Sequence, residues 1–366
     1  MNKINVAVIF GGNSLESDVS IITAKQIVNA LNKEKYNIYS IYIDEQNVWW
    51  YINNSFSSKD DINAEKKCRT YLKSGENYFY FKKRIKNKIK IQCAVLALHG
   101  GFGEKGYVQA LLEMCGIAHT SSSVLSSGIC MDKSVTKDIL RANGFEVLEY
   151  IVVKKRDDYQ SCVDSFVDKN GFPLIVKPVD MGSSVGVELV DNCNDLYRAI
   201  QFALKFSNAA IVEKGIKGVV EYNCSAFKRG NEIVVSNIEK PIKKGDILTY
   251  IDKYGVKGVK TGGKVGVKTK IGGMNSLGRE CPAKIGLRLS KKILEKTINA
   301  YQLFDCKGVV RCDFIYHDKT LYLNEINTIP GSLAFYLWEN EGYNFTGLLD
   351  ELIRQAINDC AVNKFN

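Results

Sequence analysis

The chain has 366 residues, of which 45% are hydrophobic and 25% are charged, and its formal net charge is +10 at pH 7. These values are typical of an ordinary soluble globular protein, and the length favours two or three subdomains over one small core. No stretch approaches the roughly 20 apolar residues of a membrane span, which argues against a membrane protein.

Basic segments and cysteines narrow the choice of partners and compartment. Lysine-rich runs at 82–90 and 253–270 supply much of the positive charge. They contain few aromatic residues, which disfavours a base-stacking nucleic-acid surface; solvated loops, or loops that face an anionic small substrate, fit better. The eleven cysteines include no CxxC pair, and the first apolar run is too short for a signal peptide. We therefore expect reduced cysteines in a cytoplasmic protein.

In chain order, the first third alternates strands, glycine loops and helices. Two glycines at 11–12 follow the first strand, and a His-Gly-Gly-Phe-Gly-Glu sequence at 99–104 follows a later one. This rhythm predicts a doubly wound parallel sheet with ligands at the carboxyl ends of its strands, in an N-terminal Rossmann-like domain over residues 1–130. Residues 44–90 carry no clear prediction. The predicted strands are Asn5–Phe10, Tyr36–Ile43 and Gln92–Leu98, and the predicted helices are Val19–Leu31 and Tyr107–Cys115.

Two further units follow, so the predicted class is α/β and α+β. A smaller unit over residues 131–218 begins with a helix, and after it the strands lengthen. A glycine- and lysine-rich segment at 252–278 interrupts these strands within a third unit over residues 219–366. The predicted strands are Leu148–Lys154, Phe172–Pro178, Ser183–Val190 and Ala210–Lys214, and the predicted helices are Ser134–Asn143, Asn194–Phe206, Ala283–Tyr301 and Leu348–Asp359.

Residues 309–331 predict two strands joined by a tight polar turn. Glu325 and Asn327 share one face of the second strand because side chains alternate along a strand, and a hairpin can bring Asp313 onto that face. Arg311 lies two residues before Asp313, on the same side of the first strand. Two carboxylates and an amide oxygen beside an arginine favour a hard cation that carries a phosphate, whereas zinc would favour cysteine or histidine. The alternative is a hairpin with a solvated polar face.

Three upstream motifs have the chemistry of nucleotide binding, although each is weak alone. Lys177 ends a predicted strand and precedes a Gly-Ser-Ser turn at 182–184, whose N–H groups and hydroxyls can meet phosphates. Lys133 begins the second unit. Glu213-Lys214, followed by Ile216, lies at a strand end and can form a hinge that binds a purine. The alternatives are an ordinary glycine turn and surface lysines.

The order of these motifs resembles the D-alanine–D-alanine ligase family of the ATP-grasp superfamily. The N-terminal third adds Gly-Gly-Asn-Ser-Leu-Glu-Ser at 11–17, the His-Gly loop at 99–104 and Leu-Leu-Glu at 111–113. The resemblance covers nearly the whole chain except 44–90 and 255–275. It implies an ATP-dependent ligase that joins D-alanine to a second D-amino acid, expected to be D-alanine, through an acyl phosphate. ADP and phosphate would be released, the product would serve peptidoglycan synthesis, and the enzyme would be a homodimer.

The resemblance also implies roles at the ATP end of the site. Two Mg²⁺ ions per site, or Mn²⁺ in their place, would lie on Asp313, Glu325 and Asn327 and bridge the phosphates. Arg311 and the Gly331 N–H would stabilise the acyl phosphate and the tetrahedral oxyanion. The residues implied to bind ATP are Lys133, Lys177 and Ser184 at the phosphates, Glu213, Lys214 and Ile216 at adenine, Glu221 at the ribose and Lys253 at the γ-phosphate.

At the amino-acid end, the resemblance implies that Glu16 holds the ammonium of the first D-alanine and that His99 orients a substrate. Tyr254 would hydrogen-bond with Ser183 and Glu16 and seal the site as part of a mobile loop. All of these residues lie in glycine-rich segments that match the family's motifs.

The chain departs from the family's pattern just after the Asn-Thr-Ile-Pro-Gly sequence at 327–331. Tyr336 stands where the family has a serine that grips the second substrate, and Leu337 follows it. The pocket must therefore differ in size, which leaves D-serine, D-lactate or another amino acid as alternatives to D-alanine. Another ATP-grasp ligase that joins other amino acids is the alternative from the same superfamily. A nucleotide-binding regulatory or transport protein is the alternative from another class. The intact set of Arg311, Asp313, Glu325 and Asn327 disfavours it, because binding alone needs no oxyanion-stabilising arginine.

Overall fold

A computed structural model describes residues 3–64, 68–82, 87–182, 185–242 and 278–362. Within these ranges the strands form an eight-stranded sheet, two four-stranded sheets and a two-stranded ribbon. The parallel strands lie in the eight-stranded sheet, and the other sheets are antiparallel. The predicted combination of α/β and α+β structure is confirmed.

The N-terminal sheet is built around the first strand, which pairs in parallel with a strand on each side. Its residues 6–10 are fully buried because parallel sheets are packed on both faces. The predicted strands and helices occur here, with bounds that differ by a few residues at most. In chain order the elements are β1 (Ile4–Gly11), α1 (Ser17–Ala30), β2 (Tyr36–Ile43), β3 (Trp49–Ile52), α2 (Lys59–Ala64), β4 (Cys68–Lys73), β5 (Glu76–Phe81), β6 (Lys88–Lys90), β7 (Cys93–Leu96), α3 (Gly101–Glu104), α4 (Tyr107–Met114) and β8 (Ala118–His119).

The described parts of residues 44–90 extend this sheet through the antiparallel strands β3 to β6. Strands β4 and β5 are joined at Gly75, whose φ of 80° is a left-handed conformation that glycine adopts without strain. Aromatic side chains hold the extension together; the rings of Tyr71 and Tyr80, for example, stack at 5.4 Å. The segment therefore widens the sheet at the edge opposite β8.

The middle of the chain forms an antiparallel sheet with helices packed on it. Helix α6 starts at Lys133 because the preceding Asp132 caps it: the carboxylate accepts the N–H groups of Ser134 at 2.9 Å and Val135 at 3.0 Å. In chain order the elements are α5 (Val124–Met131), α6 (Lys133–Ala142), β9 (Tyr150–Lys154), α7 (Gln160–Asn170), β10 (Leu174–Pro178), β11 (Glu188–Val190), α8 (Cys193–Ala203) and β12 (Ala209–Lys214).

One predicted strand in this region is wrong in its length. The strand predicted at Ser183–Val190 begins only at Glu188, and a turn precedes it. The reason is Gly186, whose φ of 70° bends the backbone out of the extended conformation. Ser183 and Ser184 lie outside the described residues.

The last region forms a second antiparallel sheet in which β13 is flanked by β14 and β17. In chain order the elements are β13 (Val220–Arg229), β14 (Glu232–Val235), β15 (Lys240–Pro241), β16 (Arg279–Glu280), α9 (Leu287–Leu303), β17 (Val310–His317), β18 (Thr320–Asn327), two 3₁₀ segments (Gly331–Leu337 and Glu339–Glu341) and α10 (Phe345–Val362). Helix α10 packs into the N-terminal core, where Leu348 and Leu349 are fully buried. The boundaries at 130 and 218 stay predictions.

Every cysteine lies in the described ranges and is a free thiol. Across those same ranges, no helix has both the length and the apolar character that crossing a bilayer requires.

Candidate active site

One cavity collects side chains from all three regions of the chain. Its lining includes most of the residues to which the sequence assigns a function, with the N-terminal loops at one end and the hairpin of β17 and β18 along one wall. The lining residues used below are Glu16, His99, Glu104, Lys133, Lys177, Glu213, Ile216, Glu221, Asn223, Glu239, Arg279, Arg311, Asp313, Asn324, Glu325, Asn327, Gly331 and Tyr336.

The hairpin has the predicted geometry. Asp313 is paired directly with Glu325, and Arg311 with Asn327, so the four side chains form one patch on a single face. The strands are joined by a two-residue turn at 318–319 in which both residues have positive φ, 45° and 65°. Arg311 donates from Nε and Nη2 to the two carboxylate oxygens of Asp313 at 2.7 and 2.8 Å.

A β-bulge next to Asp313 adds a residue that the sequence pattern did not reveal. The register shifts between Asp313 and Phe314, which leaves Asn324 without an opposite residue in β17. The side chain of Asn324 consequently lines the cavity, and its Oδ1 lies 3.5 Å from Nζ of Lys177. The bulge therefore brings the hairpin into contact with Lys177 on β10.

The donor set on the hairpin fits a hard cation. Asp313 and Glu325 offer carboxylate oxygens at side-chain exposures of 17% and 29%, and Asn327 offers an amide oxygen once its Nδ2, now 3.0 Å from Asp313, turns away. Within the described ranges no three histidine, cysteine or acidic side chains cluster tightly enough to hold a metal by themselves. Oxygen atoms of water or of a bound ligand would complete the coordination of a cation here, because a hard cation takes more ligands than the hairpin alone offers.

Three lysines and one glutamate form a buried charge cluster opposite the hairpin. Glu213 is 2% exposed and pairs with Lys177 at 2.6 Å and with Lys137 at 3.2 Å. Burial opposes ionisation of Glu213, but the two ammonium groups outweigh it and lower its pKa. Burial lowers the pKa of Lys133 and Lys137. The three cations exceed the charge of Glu213, which suits an incoming anion such as a phosphate.

Lys137 is a residue that the sequence prediction missed, although a signal was present. It lies four residues after Lys133 on α6, and positions i and i+4 share one face of a helix. Its ammonium supplies Glu213 with a second partner besides Lys177, which lines the cavity.

Replacing Lys137 by methionine should destabilise the protein by about 3 kcal/mol, because one oxygen of the buried Glu213 carboxylate would lose its cationic partner. Methionine fills the space of the lysine stem, so the loss of charge dominates the effect. Urea unfolding monitored by circular dichroism measures the change. The matched control is Lys169→Met, an exposed lysine on α7, which should change the free energy of unfolding by less than about 0.5 kcal/mol. An unchanged midpoint for Lys137→Met would mean that Lys177 alone neutralises Glu213.

The predicted adenine hinge divides between two sides of β12. The carboxylate of Glu213 is engaged by lysines, and the ammonium of Lys214 donates to the carbonyls of Asn170, Gly171 and Phe172 at 2.7, 3.2 and 3.3 Å. Both side chains are thus occupied within the protein. The side chains of Ile216 and Glu221 line the cavity, and the roles predicted for these residues remain predictions.

At the other end, glycines pack against the Glu16 carboxylate, which is only 7% exposed. A Cβ added at Gly100 would lie 2.6 Å from Oε2 of Glu16, and one at Gly182 would lie 2.7 Å from it. A side chain at either position would force the Glu16 carboxylate to move. The glycine loops that the sequence predicts at the sheet's edge therefore enclose a buried carboxylate.

His99 is buried and is held by two hydrogen bonds. Its Nδ1 donates to the Ile329 carbonyl at 3.1 Å, which leaves Nε2 to accept from the Thr23 hydroxyl at 2.9 Å. The same hydroxyl accepts the N–H of Ser332 at 3.2 Å. Burial lowers the pKa of His99 to about 4, so the ring is neutral at pH 7. His99 thus anchors the loop that carries Gly331.

That loop continues through three consecutive left-handed residues. Ser332, Leu333 and Ala334 have φ of 53°, 50° and 48°, although none is glycine, and all three are buried. Each such residue costs about 1–2 kcal/mol, so packing and the Thr23 contact must hold the turn. The turn leads to Tyr336, which lines the cavity, whereas the side chain of Leu337 lies in the N-terminal core.

Glu104 has an unusually high pKa because its carboxyl group is buried, close to the carboxylate of Glu16. Burial, with a smaller contribution from the nearby Glu16 carboxylate, raises the pKa of Glu104 to about 8, although a hydrogen bond from the Gly100 N–H at 2.8 Å acts in the opposite direction. The native protein then keeps a proton that the unfolded chain loses above its ordinary pKa of about 4.5. Stability should therefore fall as the pH rises from about 4.5 to about 8.

The variant Glu104→Gln mimics the protonated acid and should remove this loss. We expect its melting temperature to match that of the wild type near pH 5 and to exceed it at pH 9. Differential scanning calorimetry across this range is the measurement, with the exposed Glu34→Gln as control. If both proteins lose stability in parallel toward pH 9, Glu104 is ionised throughout and the assignment fails.

Four residues with predicted roles, Ser183, Ser184, Lys253 and Tyr254, lie outside the described residues. The lining also contains Asn223, Glu239 and Arg279, which the sequence pattern did not single out. Glu239 lies just before β15, whereas Arg279 lies on β16, the other strand of the two-stranded ribbon. The two residues are far apart in the sequence, so no local spacing connects them.

Comparisons with known proteins match the chain along most of its length. The family model described as D-ala D-ala ligase N-terminus matches residues 5–122, and that described as D-ala D-ala ligase C-terminus matches residues 139–354. The D-alanine–D-alanine ligase of Thermosipho melanesiensis is 33% identical over 362 residues, which cover 97% of this chain and 94% of that protein.

Solved structures agree with the fold. The D-alanine–D-alanine ligase from Coxiella burnetii has a TM-score of 0.83 and 25% identity, over 100% of this chain and 97% of its own. The VanG D-Ala:D-Ser ligase from Enterococcus faecalis has a TM-score of 0.79 and 26% identity, over 97% and 100%. The Bacillus anthracis D-alanine–D-alanine ligase complexed with ATP has a TM-score of 0.71 and 27% identity, over 98% and 99%.

Proposed function

Because the chain belongs to the D-alanine–D-alanine ligase family, we propose that it is an ATP-dependent ligase that joins D-alanine to a second D-amino acid. The carboxylate of the first D-alanine takes the γ-phosphoryl group of ATP to give an acyl phosphate and ADP. The amine of the second substrate then attacks the acyl carbon and displaces phosphate. The dipeptide is a precursor for peptidoglycan.

One observation carries this proposal. A single cavity holds buried lysines, oxygen donors beside Arg311 and the enclosed carboxylate of Glu16. These groups match the three charges that the reaction brings together, namely the phosphates, the acyl phosphate and the ammonium of the first amino acid. Such chemistry depends on positioning and on charge neutralisation more than on covalent help from the protein.

In the first step, the lysines and the carboxylates position the substrates. Lys133 and Lys177 bind phosphate oxygens, and Glu16 holds the ammonium of D-alanine. Asp313, Glu325 and Asn327 would hold Mg²⁺, which when bound neutralises charge on the phosphates. The apolar surface around Ile216 packs against adenine, and Glu221 binds the ribose.

In the second step, the acyl carbon becomes tetrahedral and its oxygen gains negative charge. Arg311 and the Gly331 N–H donate to this oxygen as the charge develops. His99 keeps the Gly331 loop in place through its bond to the Ile329 carbonyl and through Thr23, whose hydroxyl accepts the Ser332 N–H. Because the ring is neutral, it adds no charge to the pocket. The proposal also includes Ser184, which would bind ATP, and Lys253, which would close over the γ-phosphate. Tyr254 would seal the site through hydrogen bonds with Ser183 and Glu16.

D-alanine is the second substrate that the family favours, and D-serine, D-lactate and other amino acids are the alternatives. Two observations support these alternatives. Tyr336 replaces the serine expected from the family's pattern, and one structural relative is a D-Ala:D-Ser ligase. We also propose a cytoplasmic homodimer, for which light scattering should give about twice the chain mass of 41.0 kDa.

The test uses purified protein with ATP, Mg²⁺ and a panel of D- and L-amino acids. Phosphate release should depend on D-alanine, and mass spectrometry should detect a D-alanyl product. L-alanine is the matched control and should give no release. Absence of release with D-alanine, whether alone or with a partner amino acid, would overturn the proposed function.

A further inference from the structure

Three residues that lie apart in the sequence form a charged wall of the cavity. The Arg279 guanidinium lies 4.0 Å from the centre of the Tyr336 ring, and its Nη1 is 3.5 Å from Oε1 of Glu239. The Tyr336 hydroxyl donates to Oε2 of Glu239 at 3.3 Å, and Nδ2 of Asn223 donates to the same oxygen at 3.1 Å. The wall faces the same cavity as Arg311 and Gly331.

The Arg279 guanidinium has N–H donors that no acceptor in the described part of the chain satisfies. Its side chain is 14% exposed, and neither Nη atom is accessible to solvent or hydrogen-bonded to any acceptor in the described ranges. The ion pair with Glu239 at 3.5 Å is too long to satisfy these donors. A buried guanidinium with unused N–H groups is costly, unless a ligand brings acceptors. A carboxylate is the ligand group that matches the planar fork of arginine.

Glu239 supplies the opposite charge in the same wall. Glu239 is 5% exposed. Its carboxylate faces Arg279 and accepts hydrogen bonds from two neutral groups, the amide of Asn223 and the hydroxyl of Tyr336. A small α-amino acid carries a carboxylate and an ammonium on one carbon. A wall with a guanidinium and a carboxylate side by side is complementary to that pair of charges.

The wall lies where the second substrate would have to bind. Tyr336 occupies the place at which the family's pattern has a serine for that substrate, and Arg279 lies against the face of its ring. The amine that attacks the acyl phosphate must approach the oxyanion donors Arg311 and Gly331, which line the same cavity.

We propose that Arg279 binds the carboxylate of the second substrate and that Glu239 accepts a hydrogen bond from its amino group, with the Tyr336 ring as the platform for Arg279. This inference rests on the proposed ligase function and names its second substrate as an α-amino acid. A 2-hydroxy acid brings no positive charge to Glu239 and is disfavoured.

The experiment holds D-alanine and ATP fixed and varies D-serine or D-lactate, with the two products separated by mass. Arg279→Gln should raise the KM for D-serine about tenfold to a hundredfold, with Arg279→Lys in between, because a charge-assisted pair is lost. The KM for ATP should change less than twofold.

Glu239→Gln should lower the preference for D-serine over D-lactate, as a ratio of kcat/KM, by about tenfold or more. Arg288→Gln, an exposed arginine on α9, is the control.

Positional isotope exchange in ATP with D-alanine alone separates the two hypotheses. Wild-type exchange together with an unchanged KM for D-serine in Arg279→Gln, or an unchanged preference in Glu239→Gln, overturns the inference and leaves the ligase function intact. If the wild type shows neither exchange nor D-alanine-dependent phosphate release, both hypotheses are overturned. If Arg279→Gln loses its cooperative thermal transition, the double variant Arg279→Gln/Glu239→Gln, which removes both charges, should show the same rise in KM. An unchanged KM in that double variant also overturns the inference.

Discussion

Replacing Asp313 by asparagine, or Glu325 by glutamine, is expected to lower ligase turnover about a hundredfold or more while the protein stays folded. Asp313 and Glu325 face each other across β17 and β18, and each substitution removes one negative oxygen from a set of only two carboxylates and one amide. A hard cation would then bind weakly, and charge on the phosphates would stay unneutralised. Steady-state phosphate release at several Mg²⁺ concentrations measures the effect.

The two variants should differ in a way that a general structural defect would not produce. Their apparent requirement for Mg²⁺ should rise, so that part of the lost rate returns at high Mg²⁺. The control is Asp318→Asn in the hairpin turn, whose carboxylate is 88% exposed and should not affect turnover. Wild-type rates in Asp313→Asn or Glu325→Gln at low Mg²⁺ would show that the cation binds elsewhere.

The sequence predicted the hairpin well because its signals are local. Alternation along a strand fixes which side chains share a face, and a short polar turn fixes the pairing of Asp313 with Glu325. The one feature it missed, the bulge that exposes Asn324, depends on the shift in register after Asp313. Periodicity alone does not reveal such a shift.

The buried charge cluster was predictable only in part. Lys133 and Lys177 stood out through their motifs, whereas Lys137 looked like an ordinary helical lysine. Its function as a partner of Glu213 depends on the packing of α6 against the antiparallel sheet. A helical face with two lysines one turn apart was the available signal, and it becomes meaningful only if that face is buried.

Features that depend on contacts between distant parts of the chain could not be predicted from local sequence patterns. The left-handed turn at 332–334 contradicts the backbone preference of each of its residues, so only tertiary packing can produce it. The wall of Glu239, Arg279 and Tyr336 joins residues up to 97 positions apart. Where the chain departs from its family's pattern, the structure was needed to find the partners of Tyr336.

Replacing Arg311 by lysine should lower kcat about a hundredfold to a thousandfold, with the KM for ATP nearly unchanged. Lysine keeps the positive charge but loses the planar fork that holds both oxygens of Asp313 at 2.7 and 2.8 Å. The ammonium would no longer be aimed at the oxygen that gains charge on the acyl carbon. A loss confined to kcat is the sign of an interaction that forms mainly in the transition state.

The comparison with Arg279 makes this prediction specific. Both arginines line the same cavity, but Arg279→Lys should act on the KM of the second substrate, whereas Arg311→Lys should act on kcat with every second substrate. Arg311→Met should lower kcat more than Arg311→Lys does, because it leaves Asp313 without a cationic partner in a buried site. If Arg311→Lys instead raised the KM for ATP and kept kcat, Arg311 would bind the ground-state nucleotide, and the oxyanion would depend on the Gly331 N–H.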